Sequence, residues 1–504
     1  MALHAFPLQD VLLEHQRYNE TRDLDQWQDN DAHLQRVARS FNQLSTEKLG
    51  AEYSPDPLEV LNVERETLPY LLILSARVTL AFKKSKSSFP ENLRPGNTLW
   101  LQAVAVLTHG DPIEARYGED CWRTLAKAVA QGAVTASTET HPPSASISVV
   151  AAAILRMDPS GGTLTTSHLD LVRACLLTHS YAQARPVLDC EVHSFPSPSS
   201  VNNELPLSAK HHTSNTYIAV RNKLTEPLTL TDILEYYLCG AMIYIGLDQW
   251  ARALDSLDFV LCTPSGSQNT AHELMLEAYK KWVLTSLLAH GRPIPLPQTA
   301  GGAPMRTVRA LAKEYEAVAE AFRGTDGKKL EAEAYEAQEE FRNAGNEGLV
   351  RNVVARHRQL AISKLANTYA VVPFSMVAKL LSISDSDAAQ YVQRLVQEGL
   401  LQASIEQAEG QSVLRFGEKQ GQESEQQLKA ELLRQTKRIK ELSRYIAEAD
   451  RRLGLSRDYV EHVSRQRKQK TATQDVPDQE EAMDMSFGGA ASEEDEESVM
   501  ADVS

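Results

Sequence analysis

The chain has 504 residues, of which 42% are hydrophobic, and a formal net charge of −15. This length and apolar content suffice for several folded domains and exclude a mainly disordered protein. Eleven acidic residues lie between Thr471 and Ser504, a stretch without Lys or Arg. The remainder is only mildly acidic, which argues against a broad surface for nucleic acid or anionic membrane.

The cysteine pattern and the N-terminal residues indicate whether the protein is expected inside the cell or in the secretory pathway. No CxxC pair occurs, and in a chain of this size scattered cysteines favour reduced thiols inside the cell. Residues 1–10 lack the basic start and apolar run of a signal peptide, and no stretch reaches the ~20 apolar residues of a membrane span. The cysteines are Cys121, Cys175, Cys190, Cys239 and Cys262.

Helical periodicity dominates the first two thirds of the chain. Residues 1–160 are predicted to form an N-terminal helical region in which the run from Tyr70 to Phe82 is a buried helix. Residues 161–345 are predicted to form TPR-like helical repeats. Tyr181–Asp189 aligns there with Trp250–Asp258 at an offset of 69 residues, close to two units of a repeat of about 34 residues. An ordinary helix pair with an alanine contact is the alternative.

Residues 346–417 are predicted to form a winged helix, because helices are followed by a hairpin. Pro373 ends a short apolar segment, Ser384 is the expected N-cap of the third helix, and Gly399 is its expected end. Two short strands, Leu401–Ile405 and Val413–Phe416, are expected to complete the hairpin.

The charges on the third helix of this winged helix argue against DNA binding. A recognition helix needs basic and amide side chains, and its basic contacts to phosphates supply most of the affinity. This helix has Asp385, Asp387 and Glu398 against the single base Arg394. Protein assembly is therefore favoured, since a hairpin has free edges that can pair with a neighbour's sheet.

Residues 418–466 are predicted to form one long helix. Apolar residues occupy the a and d positions of one heptad frame, with Gln435 and Ser456 as polar exceptions at d. Such a narrow stripe needs partner helices to bury it. Residues 467–504 are acidic and poor in bulky apolar residues, so they are predicted to be a disordered tail. The apolar stripe includes Leu432, Ile439, Leu442, Ile446 and Leu453.

No catalytic, cofactor-binding or metal site is predicted. The chain lacks paired histidines with metal-ligand spacing, a glycine-rich phosphate loop and a GxSxG elbow. The adjacent histidines His211 and His212 lie in a polar stretch and are interpreted as loop residues. The sequence therefore favours a protein that is not an enzyme.

Helical repeats that continue into a winged helix resemble PCI-domain scaffold proteins of the proteasome lid, the COP-nine signalosome and the translation-initiation-factor-three complex. The residues are most similar to the subunit-three family of the signalosome. The resemblance covers about residues 164–453, and the 193–215 loop and acidic tail are longer than it requires. It is carried by Tyr236–Leu247, Glu277–Trp282, Leu284–Gly291 and Asp387–Val392.

This resemblance implies a mainly α protein: a right-handed, TPR-like helical-repeat solenoid, a winged-helix (PCI) subdomain and a long C-terminal helix. It implies a non-catalytic scaffold, cytoplasmic and nuclear, that supports removal of the ubiquitin-like protein NEDD-eight from cullin-RING ubiquitin ligases. The partners would be other PCI-domain and metalloprotease-type subunits, with indirect contact to cullin-RING ligases and none to membrane. A proteasome-lid paralogue and a nucleic-acid or mRNA-export PCI adaptor are the alternatives.

Two predicted surfaces would serve such an assembly: the edge of the hairpin and the apolar stripe of the C-terminal helix. In the resembled family, winged-helix sheets join edge to edge and C-terminal helices gather into a bundle. The predicted interface residues are Leu401, Ala403, Ile405, Val413, Leu414, Phe416, Leu432, Ile439, Leu442, Ile446 and Leu453.

Overall fold

Helices dominate the computed structural model, in which two compact units, Met1–Phe416 and Gly417–Ser504, are distinguished. Each unit is described by itself. The predicted acidic tail, 467–504, lies outside the described residues. These are 6–22, 26–85, 88–135, 140–196, 205–211, 213–264, 271–300, 302–324, 326–381, 383–401, 403–408, 411–416 and 425–455.

The N-terminal helical region is organised around α5, in which every residue from Thr67 to Ala76 is buried. This confirms the predicted buried helix, and the smaller apolar stripes of the surrounding helices pack against it. The helices of this region are α1 (Gln9–Thr21), α2 (Trp27–Asn42), α3 (Thr46–Leu49), α4 (Pro57–Val60), α5 (Thr67–Ser85), α6 (Thr98–His109), α7 (Pro112–Ala115), α8 (Cys121–Thr135) and α9 (Pro143–Met157).

The predicted repeat is present as two helix pairs, α10 (Thr166–Leu177) with α11 (Tyr181–Leu188) and α12 (Leu230–Gly246) with α13 (Trp250–Cys262). The turn inside each pair has the same geometry. His179 and Asp248, 69 residues apart, both have positive φ, at 54° and 57°. The next backbone N–H bonds back to the carbonyl five residues earlier in both turns, at 3.0 and 2.9 Å. The offset found in the sequence therefore reflects a repeated unit.

Each repeat is tied to the following helix by the same kind of hydrogen bond. Asp189, at the end of α11, accepts a 2.8 Å bond from the Tyr244 hydroxyl of α12. Asp258, the aligned residue of α13, accepts a 2.7 Å bond from the Trp282 indole N–H of α14 (Glu273–His290). A buried aromatic donor thus meets a carboxylate at corresponding positions, which satisfies polar groups that burial would otherwise penalise.

The helices after α14 connect the repeats to the winged helix. α19 is shared, since its N-terminal half packs with the repeats and Ile362, near its end, packs in the winged helix. The helices are α15 (Ala303–Leu311), α16 (Lys313–Arg323), α17 (Gly327–Glu336), α18 (Gln338–Asn343) and α19 (Glu347–Ala366).

Three apolar clusters form the interior of the first unit. They run from Phe6 to Ile243, from Leu234 to Val353 and from Ile362 to Phe416. The first cluster continues through position 160, and α12 supplies residues to both of the first two. The domain boundaries predicted at residues 160 and 345 therefore do not coincide with gaps between apolar clusters, and they stay predictions.

The segment between α11 and α12, which includes the predicted 193–215 loop, packs on the N-terminal region. The Ser208 hydroxyl donates a 2.6 Å bond to the Trp27 carbonyl, and the Tyr217 hydroxyl donates a 2.8 Å bond to the Met157 carbonyl. Arg116 lies 3.7 Å from the centre of the Tyr217 ring and donates to the Leu207 carbonyl. The described residues of the segment between α11 and α12 are therefore bonded to the N-terminus of α2, to the end of α9 and to the turn after α7.

The winged helix consists of α20 (Phe374–Leu381), α21 (Asp385–Gln397) and the strands β1 (Val371–Pro373), β2 (Ala403–Ala408) and β3 (Gln411–Phe416). The sheet is antiparallel with the order β1-β3-β2. Ser384 caps α21 by accepting the Asp387 N–H, and Gly399 follows the helix with φ +70°, as predicted. The predicted start of the first hairpin strand at Leu401 was wrong, since β2 begins at Ala403, and both strands extend closer to the turn than predicted.

The second unit contains the long helix α22 (Glu425–Leu455). It corresponds to the helix predicted over 418–466, and the remaining residues of that prediction lie outside the described part of the chain. In the part of the chain that the structure describes, no helix is long and apolar enough to cross a membrane.

Candidate functional site

The outer edge of β2 is the first candidate assembly surface. β2 pairs with β3 on one side, and no strand in the described part of the chain pairs with its other side. That edge therefore presents backbone N–H and C=O groups to which another extended segment can bond. Ile405 on this strand is 43% exposed, although its register partner Leu414 is fully buried.

Strand β3 does not provide the edge predicted for Val413–Phe416, because it lies between β1 and β2. Leu414 and Phe416 are buried in the winged-helix cluster together with Leu401. These three side chains stabilise the fold and are not available to a neighbour. Ala403 and Val413 are half-buried, so within the predicted hairpin set Ile405 is the exposed side chain.

The exposed face of α21 has the charge expected from the sequence. Asp385, Asp387 and Glu398 are exposed, as is the single base Arg394. A helix with this balance repels a phosphate backbone. The position that would be a recognition helix in a DNA-binding winged helix is therefore acidic in this chain.

The apolar stripe of α22 is the second candidate surface. Leu432, Ile439, Leu442 and Ile446 are between 52% and 64% exposed. Leu453 lies in the helix, but its side chain is outside what the structure describes. Large apolar side chains at a and d positions of one frame are typical of a helix that packs against others. We call these four exposed residues the α22 seam.

Two exposed apolar residues of α22 were not in the predicted set. Leu433 and Tyr445 are 76% and 65% exposed, and they occupy positions b and g of the frame, outside the seam. Heptad counting alone assigns such positions to solvent. The two residues lie about 120° apart around the helix, so they do not form a second apolar stripe.

The histidines and acids of the described residues do not form a metal site. No group of three or more His, Cys, Asp or Glu residues there could hold an ion. His211 donates or accepts locally: its Nε2 lies 3.0 Å from the Pro206 carbonyl and its Nδ1 2.8 Å from the Thr216 hydroxyl. Burial lowers its pKa. His211 thus has a structural role, and His212 lies outside the described residues.

Comparison with known proteins connects these surfaces to a family. The family model for COP9 signalosome complex subunit 3, N-terminal helical repeats, matches residues 32–302, more than half of the chain. The chain belongs to the COP9 signalosome subunit 3 family. The model for the PCI domain matches residues 328–415, from α17 to the end of β3.

Two fungal relatives in the subunit 3 family are similar over most of their length. COP9 signalosome complex subunit 3 of Emericella nidulans is 32% identical over 366 residues, which are 71% of this chain and 72% of the relative. The protein of that name from Neurospora crassa is 28% identical over 335 residues, 64% of this chain and 67% of the relative.

Membership of the subunit 3 family confirms the resemblance and the mainly helical fold class. It also agrees with the prediction of a non-catalytic PCI-domain protein. Of the interpretations left open by the sequence, the proteasome-lid paralogue is not supported, since the model that matches the repeats is that of the signalosome subunit.

Proposed function

We propose that this chain is a scaffold subunit that joins the signalosome through the β2 edge and the α22 seam. In this role it supports removal of NEDD-eight from cullin-RING ubiquitin ligases without supplying catalytic groups. The partners would be other PCI-domain and metalloprotease-type subunits, and cullin-RING ligases would be contacted indirectly. Such a protein would act in the cytoplasm and the nucleus.

The exposure of the α22 seam is the observation that carries this proposal. Burying a Leu or Ile side chain contributes about 1.5–3 kcal/mol relative to leaving it exposed. The four seam residues are more than half exposed, so covering them with partner helices would contribute several kcal/mol to the free energy of association. Partner helices with complementary a and d residues are the ligand that such a stripe fits.

The β2 edge supports the same proposal through a different interaction. Main-chain hydrogen bonds along an edge strand give affinity with little dependence on side chains. The acidic face of α21 favours this use over nucleic-acid binding, because Asp385, Asp387 and Glu398 oppose a phosphate backbone. Ile405 is an exposed apolar side chain on β2, 43% accessible to a neighbour's strand.

Replacing two seam residues tests the proposal. We expect Ile439→Asp combined with Ile446→Asp to release the chain from its complex. In the proposed assembly, partner helices would cover both positions, and the substitutions would place two charges in that apolar interface. The loss should exceed about 3 kcal/mol, or roughly a hundredfold in Kd. The measurement is co-purification of the other signalosome subunits with the tagged full-length chain from cells.

The matched control places the same number of charges on the same helix but away from the seam. Ala430→Asp with Ala447→Asp changes two exposed positions of α22, and we expect it to leave co-purification intact. Circular dichroism of both variants checks that the helices remain formed. Unchanged co-purification of the Ile439 and Ile446 variant would rule out the seam as an assembly surface.

A further inference from the structure

A cavity of about 360 Å³ lies within the repeats, where the segment after α11 meets α12 and α13. Its volume is at the lower end of the range of about 300–1,000 Å³ found for ligand pockets. Both of the assembly surfaces described above lie elsewhere in the chain. The cavity is lined by Leu188, Cys190, Glu191, Val192, Tyr236, Tyr237, Gly240, Tyr244 and Ser256.

The sequence of α12 creates this cavity. Tyr236, Gly240 and Tyr244 are four residues apart and so lie on one side of the helix. Gly240 leaves a gap between the two tyrosines, and a Cβ atom there would lie 3.1 Å from Leu188. Tyr237 adds a third ring, held in place by stacking on Phe259 with 3.8 Å between ring centres.

The polar groups that line the cavity are one carboxylate, a thiol and the hydroxyls of serine and tyrosine side chains, which both donate and accept hydrogen bonds. Glu191 is exposed at the cavity and forms no ion pair in the described part of the chain. The Tyr236 side chain is only 3% exposed, yet its hydroxyl has no hydrogen-bond partner among the described residues. Because Tyr236 lines the cavity, its hydroxyl is placed to bond to a ligand or a water there. Burial raises the Tyr236 pKa, so the hydroxyl stays protonated.

The nearby arginines do not pair with Glu191. Arg185 and Arg252 bind Asp189 at 3.2 and 2.7 Å, and neither lines the cavity. Both guanidinium groups share the one carboxylate of Asp189, and neither forms an ion pair with Glu191 in the described part of the chain. Glu191 remains the one charged group among the lining residues.

We infer that this cavity, the α12 tyrosine pocket, binds the cationic side chain of a Lys or Arg from another polypeptide. A cation is attracted to the faces of tyrosine rings, and Arg or Lys also supplies several N–H donors. Glu191 pairs with the charge, the Tyr236 hydroxyl accepts an N–H donor, and the three rings enclose the aliphatic stem.

Titration of the full-length chain with single amino-acid probes tests this assignment. The rings of its tyrosines are labelled with ¹³C, and signals are assigned with Tyr236→Phe and Tyr244→Phe. N-acetyl-arginine amide and N-acetyl-lysine amide should shift the signals of the pocket tyrosines. N-acetyl-citrulline amide, which has a similar shape but no charge, should leave them unchanged over the same concentration range.

Two charge variants identify the group responsible. Glu191→Gln should weaken binding of the arginine probe about tenfold or more, since a hydrogen bond to a charged group is lost. Asp255→Asn removes an exposed charge from α13 that does not line the pocket, and it should retain affinity within about twofold. Equal shifts with citrulline, no shift with any probe, or equal affinity of Glu191→Gln and wild type would each overturn the assignment.

Discussion

Helices α13 and α22 differ in what happens to their apolar stripes. Both have apolar residues at helical spacing along one side. In α13, Ala253, Leu254 and Leu257 are buried, whereas the α22 seam is more than half exposed. Periodicity therefore predicts that a helix has an apolar face, but the neighbouring helices determine whether the chain itself covers that face.

The neighbours of α13 are adjacent in sequence. α12 precedes it through a short turn and α14 follows it, and their apolar residues share one cluster with those of α13. α22 has 31 residues and lies in the second unit, where the described residues provide no partner helix for the seam. An apolar face that neighbouring helices bury stabilises the fold, as in α13. An apolar face that stays exposed, like the α22 seam, is suited to association with another chain.

The largest expected effect comes from a substitution in the buried apolar face of α13. Leu257→Ala removes a fully buried side chain, and we expect the free energy of unfolding to fall by about 2–5 kcal/mol. Urea unfolding followed by tryptophan fluorescence measures this change, because all five tryptophans precede residue 283. Leu177→Ala, at a 69% exposed residue of α10, is the control and should change the value little. A loss below 1 kcal/mol for Leu257→Ala would contradict the tight packing.

The links between repeats should have the next largest effect. Asp258→Ala leaves the buried Trp282 indole N–H without its acceptor, which should cost about 1–3 kcal/mol. Asp258→Asn keeps an acceptor oxygen and should recover much of that loss. Asp255→Ala changes an exposed carboxylate on the same helix and serves as the control. If Asp255→Ala and Asp258→Ala were equally destabilising, the hydrogen bond would not be the cause.

The repeats were predictable because their signals are local. Tyr181 and Trp250 start aligned helices, and the residues two positions earlier adopt the same left-handed turn. The Ser384 cap and the Gly399 helix end were also predictable, since each depends on a residue type at one position. These features need no knowledge of distant contacts.

The sheet order was not predictable in the same way. β1 has three residues, and its partner β3 lies about 40 positions later, so no local pattern shows that Val372 is opposite Leu414. Without that pairing, the sequence predicts that β3 is an edge strand with Leu414 and Phe416 at an interface, whereas both side chains are buried. The pairing of a short strand depends on tertiary packing more than on its own sequence.

The pH dependence of stability distinguishes the N-terminal helical region from α22, because α22 contains no histidine. Burial lowers the pKa of His33 to about 4, and His15, 3.2 Å away, adds to the effect. The folded-state pKa is below the unfolded value, so this stability is present above about pH 6.5 and is lost as the pH falls toward 4. One proton gives a slope of up to ~1.4 kcal/mol per pH unit.

Replacing His33 by Gln should reduce this slope between pH 6.5 and 4, as measured by urea unfolding with tryptophan fluorescence at several pH values. The buried His168, whose pKa burial also lowers to about 4, remains in the variant and should sustain part of the slope. His109, an exposed residue at the end of α6, provides the matched substitution His109→Gln. Equal slopes in the two variants would contradict the role of His33.

The smallest expected effect comes from a substitution in the exposed α22 seam. Leu442→Ala removes a side chain that is 58% exposed, so the isolated chain should lose less than about 0.5 kcal/mol. Hydrogen exchange of peptides from 425–455 would then change by about twofold or less. Leu433→Ala, outside the seam on the same helix, should behave alike in the isolated chain. Exchange accelerated more than about tenfold by Leu442→Ala alone would show that the isolated chain already covers the seam, and the contrast with α13 would disappear.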